Sequence, residues 1–134
     1  MEELIEVLQS AAIPQAFQID LPDEDDLVEI EEEILLPIPS DFKQFLTSVS
    51  NLVIGSLEPV TVTDPQAHTH LPEVTAQAWA DGMPRDLIAV CSIGTGCYCI
   101  NPEGEVMLWQ SGEIIDDEQW EDIWQWAKDI WLTS

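Results

Sequence analysis

Positive charge is nearly missing from this chain. Its 134 residues set Lys43, Arg85 and Lys128 against 27 acids, for a formal net charge of −24. Such a surface repels nucleic acid and anionic membranes, so direct binding of either is excluded. A basic protein is attracted instead, with association accelerated roughly 10- to 1,000-fold. Long hydrophobic runs are missing too. No window nears about 18 uninterrupted apolar residues, which excludes a membrane-spanning helix. The opening "MEELIEVLQSAAIP" has neither a basic start nor a long apolar run, and does not read as a signal peptide. Cysteine is scarce and odd in number. Cys91, Cys97 and Cys99 make no disulfide framework, and a reducing cytoplasm is the simpler setting.

What is present argues for a packed core. Apolar residues make up 46% of the chain and six are Trp, whereas disordered acidic chains are poor in aromatics. A chain of this length buries roughly two-thirds of its unfolded surface and is expected to form one domain over residues 1–134.

Apolar periodicity divides the chain. Leu4, Ile5 and Leu8 predict a short helix before Pro14, and a connector through "AFQIDLP" completes an amino-terminal unit over residues 1–20. In "DEDDLVEIEEEI", Leu27, Ile30 and Ile34 share one helical face and the acids take the others. Glu31, Glu32 and Glu33 then sit at the helix end that the macrodipole makes unfavourable for anions. The prolines of "LLPIPS" stop that helix. Ser40 is placed to cap the next, whose stripe is Phe42, Phe45, Leu46 and Val49. "LVIGSLEPVTVTD" reads as a bent strand or short hairpin around Gly55, and "LPEVTAQAWADG" as a helix ending at Gly82. "DLIAVCSIG", "CYCI" and "EVMLWQ", separated by "GTG" and "NPEG", predict a three-strand antiparallel meander. Asp116 and Gln119 form a capping-box pattern with Ile115 and Trp120 as a staple, predicting that the last helix starts there. Its broad face would hold Trp120, Ile123, Trp124, Ala127, Ile130 and Trp131, with Trp126 outside it. The element order makes the fold class α+β, an antiparallel sheet flanked by about four to five helices.

Several constellations bear on chemistry. The carboxylates of residues 20–34 read either as a solvated helix face or as an electronegative docking surface. They lack the D-x-[DN]-x-[DN]-G loop of a calcium site. His68, His70, Cys97 and Cys99 are metal-ligand types without common zinc spacing. Cys97 and Cys99, two apart on a strand, share a face and read better as core. A nucleophilic cysteine needs nearby positive charge, which this chain scarcely has. There is no G-x-S-x-G elbow, and "GTG" is too short to cradle phosphate. No cofactor is called for. Trp120, Trp124 and Trp131 at helical spacing read as core. Trp109, beside Met107 on an alternating strand, and Trp126, off the stripe, are the candidates for exposed anchors.

The order of these motifs resembles a known family. "LPIPSDFKQFL" is similar to the "LP-x-D-Y-x-x-F-L" helix of the SUKH superfamily, which groups Smi/Knr-type cell-wall regulators with bacterial toxin-immunity proteins. Glu33, Leu36 and Pro39 occupy places comparable to the family's acidic segment before that helix. "PRDLIAVCSIGTGCYCINPEGEVMLW" resembles the later family block at Pro84, Asp86, Leu87, Gly94, Gly96, Tyr98, Asn101, Gly104, Val106 and Trp109. "EQWEDIWQWA" looks like the family's last helix. The resemblance covers most of residues 22–131. Two departures stand out: a run of Leu replaces the Gly before "LP", and "SNLVIG" replaces "N-G-G" after the helix.

The resemblance implies a SUKH-like fold and no catalysis. Its immunity members bind and neutralise toxins, many of them nucleases, while others are regulatory or scaffolding modules. A toxin acting on nucleic acid needs a basic face for phosphates, and its inhibitor needs carboxylates to cover that face. The expectation is a cytoplasmic, non-enzymatic immunity protein that occludes a basic toxin domain, such as a nuclease. Asp25, Asp26, Glu29, Glu32 and Glu33 would form the steering face and Trp109 and Trp126 the anchors. A regulatory adaptor for another cellular protein is the alternative, and a Cys/His metal protein or enzyme the third.

Overall fold

A computed structural model describes residues 2–14, 20–94 and 96–134. The connector at residues 15–19 and the centre of "GTG" lie outside the described residues. Helix α1 (Glu2–Ala11) buries Leu8. Helix α2 (Glu24–Ile34) buries Leu27, Ile30 and Ile34, the face set by their spacing. Its start is an aspartate capping box. The Asp26 amide donates to Asp23 at 2.9 Å, and the Asp23 amide donates to Asp26 at 3.0 Å. Both satisfy donors left open by the first turn and place negative charge where the dipole favours it. The helix ends at Leu35, which turns left-handed at φ 60° and donates its N–H to the Glu31 carbonyl at 2.9 Å.

Helix α3 (Ser40–Val49) buries Phe42, Phe45, Leu46 and Val49, as its stripe predicts. Ser40 does not cap it. Pro39 holds the cap position without a side-chain bond, and Ser40 is already helical. Residues 54–61 form isolated bridges rather than a strand. Ile54 pairs with Leu57 around Gly55, then Pro59 pairs with Cys91 along the outer edge of the sheet. Thr61 next bridges His70, closing a loop over residues 62–69 that leads into helix α4 (Leu71–Ala80).

The sheet is a four-strand antiparallel meander in chain order: β1 (Ile88–Ile93), β2 (Gly96–Ile100), β3 (Val106–Gln110) and β4 (Glu113–Trp120). The fourth strand corrects the expected start of the last helix. Ser111 and Gly112 both take positive φ, 54° and 84°, the geometry of a tight hairpin turn whose twist matches the strands. Ile114 and Ile115 therefore pair with Trp109 and Leu108 instead of leading into a helix. Glu113, Asp117 and Glu118 of β4 lie on the edge strand of the sheet, where charge discourages pairing with another chain.

The sequence "DDEQWEDIWQ" contains the D-x-x-Q pattern twice, and the fold uses the second copy. Asp122 accepts the Gln125 amide at 2.8 Å, and Gln125 accepts the Glu121 amide at 2.9 Å. Helix α5 is therefore Ile123–Trp126, continued by a π-helical turn over Ala127–Trp131. This short element lies between α3 and the sheet. Trp124 meets Phe45 edge-on and Trp131 meets it at a tilt, with centroids 5.6 and 5.5 Å apart, while Trp126 meets Tyr98 at 5.4 Å. Packed on both α3 and the sheet, the element has a wide buried face, and Gln125, Lys128 and Asp129 form its exposed stripe. One apolar cluster runs from Leu8 to Trp131.

Candidate functional site

At 3.6 residues per turn, the exposed part of α2 is a continuous arc. Asp26, Glu33 and Glu29 border one edge of the buried stripe. Asp25 and Glu32 face outward, followed by Val28 and Leu35. The five carboxylates singled out from the sequence are thus contiguous, but they differ in their partners. Asp26 is half-buried and serves the capping box. Asp25, Glu29, Glu32 and Glu33 are exposed. Glu31 closes the arc on its far side, accepting the Ile38 amide at 2.7 Å and pairing with Lys43 at 3.4 Å. Its place at the dipole's unfavourable end is thereby explained, since it ties α2 to the entry of α3. Among the described residues that is the ion pair made by a lysine or arginine, and Arg85 instead lies over the Trp79 ring at 5.2 Å.

Neither tryptophan expected at the surface is an exposed anchor. Trp126 is 0% and Trp109 6% exposed. Trp126 fills the space between α5 and Tyr98. Trp109 pairs with Cys97 across β2 and β3 and walls a depression of about 670 Å³ beneath Gln77 and Ala78 of α4. The exposed apolar side chains of this region lie on α2 itself: Val28 is 48% and Leu35 84% exposed. Together with Leu36, Pro37 and Glu32 they line a shallow surface depression of about 340 Å³. One sequence signal pointed to Leu35, the leucine run standing where the family pattern has glycine. A left-handed leucine costs roughly 1–2 kcal/mol against the ordinary conformation.

The remaining candidates separate. His68 is exposed and bonded to Glu58 at 2.7 Å, whereas His70 is buried at the start of α4. Cys91, Cys97 and Cys99 are free and buried. Burial pushes the Cys91 thiol up to about 12 and Cys97 up to about 11, and raises Cys99 as well. Such thiols stay protonated at neutral pH, the reverse of what a nucleophile requires. Among the described residues no three of His, Cys, Asp and Glu converge as a metal site, and no helix is long and apolar enough to cross a membrane.

A second groove, of about 630 Å³, separates α2 from the 62–70 loop. Asp20, Asp26, Glu29 and Glu33 stand on its walls with Thr63 and His70. The Thr63 hydroxyl donates to the Asp20 carbonyl at 3.1 Å, and the Thr61 and Thr69 hydroxyls meet at 2.8 Å, which fixes the loop. Sequence reading missed this groove because its walls are 30 to 50 residues apart in the chain and meet only through the fold.

This architecture, an antiparallel meander flanked by helices with an acidic helix outside, defines an α+β protein of the SUKH type. The SUKH family model described as SMI1-KNR4 cell-wall matches residues 1–132, and the chain belongs to that family. A crystal structure of a protein from Pseudomonas syringae pv. tomato is similar over 100% of both chains, with 54% identity and a TM-score of 0.96. No curated protein matches the chain.

Proposed function

We propose that this chain is a cytoplasmic, non-catalytic binding protein that acts as an immunity protein. It captures a basic toxin domain, such as a nuclease, and occludes its substrate surface. The observation that carries this reading is the α2 arc. It places exposed, uncompensated carboxylates beside two exposed aliphatic side chains. Interfaces combine an apolar centre with a polar rim in this way, the charges setting the association rate and the centre setting the residence time. Family membership supports the reading, because the SUKH group includes toxin-immunity proteins.

The test identifies the product of the gene neighbouring this chain's own, which the proposal expects to be a basic toxin domain, and measures its binding to the chain and to the variant Asp25→Asn/Glu29→Gln/Glu32→Gln/Glu33→Gln. Asp26 is left intact because it caps α2. At low salt the variant should associate at least about tenfold more slowly, with dissociation little changed, and the difference should shrink as salt screens exposed charge. Equal, salt-insensitive association rates would overturn the electrostatic reading. The family's cell-wall description favours a second reading, a regulatory adaptor. Capture of a specific cellular protein in cells that encode no toxin would establish that alternative.

A further inference from the structure

We propose that the groove between α2 and the 62–70 loop receives an arginine side chain of the basic partner. This deepens the binding reading above and rests on it. Two independent observations meet there. One is the carboxylate wall formed by Asp20, Asp26, Glu29 and Glu33. The other is His70 on the opposite wall. It is only 7% exposed, and its Nδ1 is buried with no hydrogen-bond partner among the described residues. Buried polar atoms in folded proteins are nearly always paired, and His70, unlike a buried indole, has little apolar area to offset an unpaired nitrogen, so its Nδ1 beside this groove points to a bond that the isolated chain does not make.

The chemistry of the walls selects the occupant. Four carboxylates exclude an anion. Asp26, Glu29 and Glu33 lie three and four residues apart on α2, about 5–6 Å between neighbours, so their negative charge is spread along the helix. A compact cation meets one or two such groups, and no metal-type convergence exists among the described residues. A guanidinium is planar and presents five N–H donors in a fixed fork. Two can bind a carboxylate side by side and others reach a second carboxylate. In a neutral imidazole with its proton on Nε2, Nδ1 is an acceptor for a remaining donor. Lysine offers three donors from a single point and matches this spread less well. The walls are already braced by the Thr63–Asp20 and Thr61–Thr69 bonds, so little ordering is left for the binding step.

The experiment titrates the full chain with N-acetylarginine amide, N-acetyllysine amide and the uncharged N-acetylcitrulline amide, following backbone amides and the His70 ring nitrogens by NMR. The arginine probe should saturate, move the His70 Nδ1 resonance and shift the amides of residues 26–33 and 62–70 together. The lysine probe should bind several-fold more weakly and the citrulline probe should leave His70 unmoved. Glu29→Gln/Glu33→Gln, which alters exposed side chains only, should weaken the arginine probe at least threefold. His70→Gln should abolish the preference for arginine over lysine.

Arginine and lysine shifts of equal size spread over every acidic surface would overturn the proposal, as would saturation that leaves His70 unmoved. If the arginine probe fails while a basic toxin is still captured with salt-sensitive kinetics, the groove assignment falls alone. If the probe binds as described and no basic partner is captured, the immunity reading falls alone.

Discussion

Helix α2 and the segment from Trp109 to Trp131 leave polar groups unmatched in opposite ways. The tryptophan segment hides them: the indole N–H groups of Trp109, Trp124, Trp126 and Trp131 are buried without acceptors among the described residues. Helix α2 displays them, with carboxylates in water and few cations nearby. The magnitudes differ in sign. Burying an indole of roughly 200 Å² contributes about 5 kcal/mol, against about 1–3 kcal/mol for the unpaired N–H, so the buried mismatch is still net stabilising. Asp26 and Glu31 serve the fold, but the exposed Glu29, Glu32 and Glu33 repel their like neighbours by a few tenths of a kcal/mol per pair. The tryptophans therefore need no partner to account for them. The acids do, and the partner surface is to be sought on α2.

The largest test of that division is Trp126→Ala. It removes the ring between α5 and Tyr98 and should cost about 3–5 kcal/mol of stability in urea unfolding. A loss below about 1 kcal/mol would mean that the ring is not core and would return it to the list of surface anchors.

The thiols extend the same comparison to pH. In the unfolded chain a cysteine ionises near 9.0, whereas buried Cys97 holds its proton to about 11. Its contribution is full below pH 9.0 and is lost as pH rises toward about 11. Cys97→Ala should therefore flatten alkaline unfolding in that window by about 2–3 kcal/mol, while leaving the neutral region without added pH dependence. An unchanged alkaline profile would show that the thiol is not sheltered. On the α2 side, Asp25→Asn/Glu29→Gln/Glu32→Gln/Glu33→Gln should raise stability at low salt by about 1 kcal/mol, and the gain should fade with added sodium chloride. A loss instead would mean that these acids make intramolecular bonds that stabilise the fold.

Local pattern carried much of the architecture. The stripes Leu27–Ile30–Ile34 and Phe42–Phe45–Leu46–Val49, and the three strands from Ile88 to Gln110, follow from spacing alone because each meets one neighbour on one face. β4 did not, although "SG" between two apolar runs is a hairpin signal. A nearby D-x-x-Q pattern competed with it, and only pairing of Ile115 with Leu108 decides between the two. Trp126 failed for a related reason. A single stripe presumes one packed side, whereas the last helix packs on α3 through Trp124 and Trp131 and on the sheet through Trp126, leaving Gln125, Lys128 and Asp129 exposed. The α2 half of the candidate surface was readable as charge. The groove with His70 was not, because it depends on the Thr61–His70 bridge that folds a distant loop against α2.

Leu35 sharpens the comparison with the smallest effect. It combines a left-handed backbone with a nearly bare aliphatic side chain, at a helix end where glycine fits without strain. Leu35→Gly relieves the backbone but loosens the unfolded chain, so the net gain should be about 0.5–1 kcal/mol, read as a higher urea midpoint at constant slope. If the leucine is kept as an apolar contact for the partner, the same substitution should speed dissociation of the complex several-fold while the salt dependence of association stays as it was. Leu35→Asn tolerates the left-handed turn yet offers no apolar surface, and it should reproduce the binding defect. A more stable protein that holds its partner less well separates a docking residue from a folding residue. A more stable protein with unchanged dissociation would confine the interface to the carboxylates.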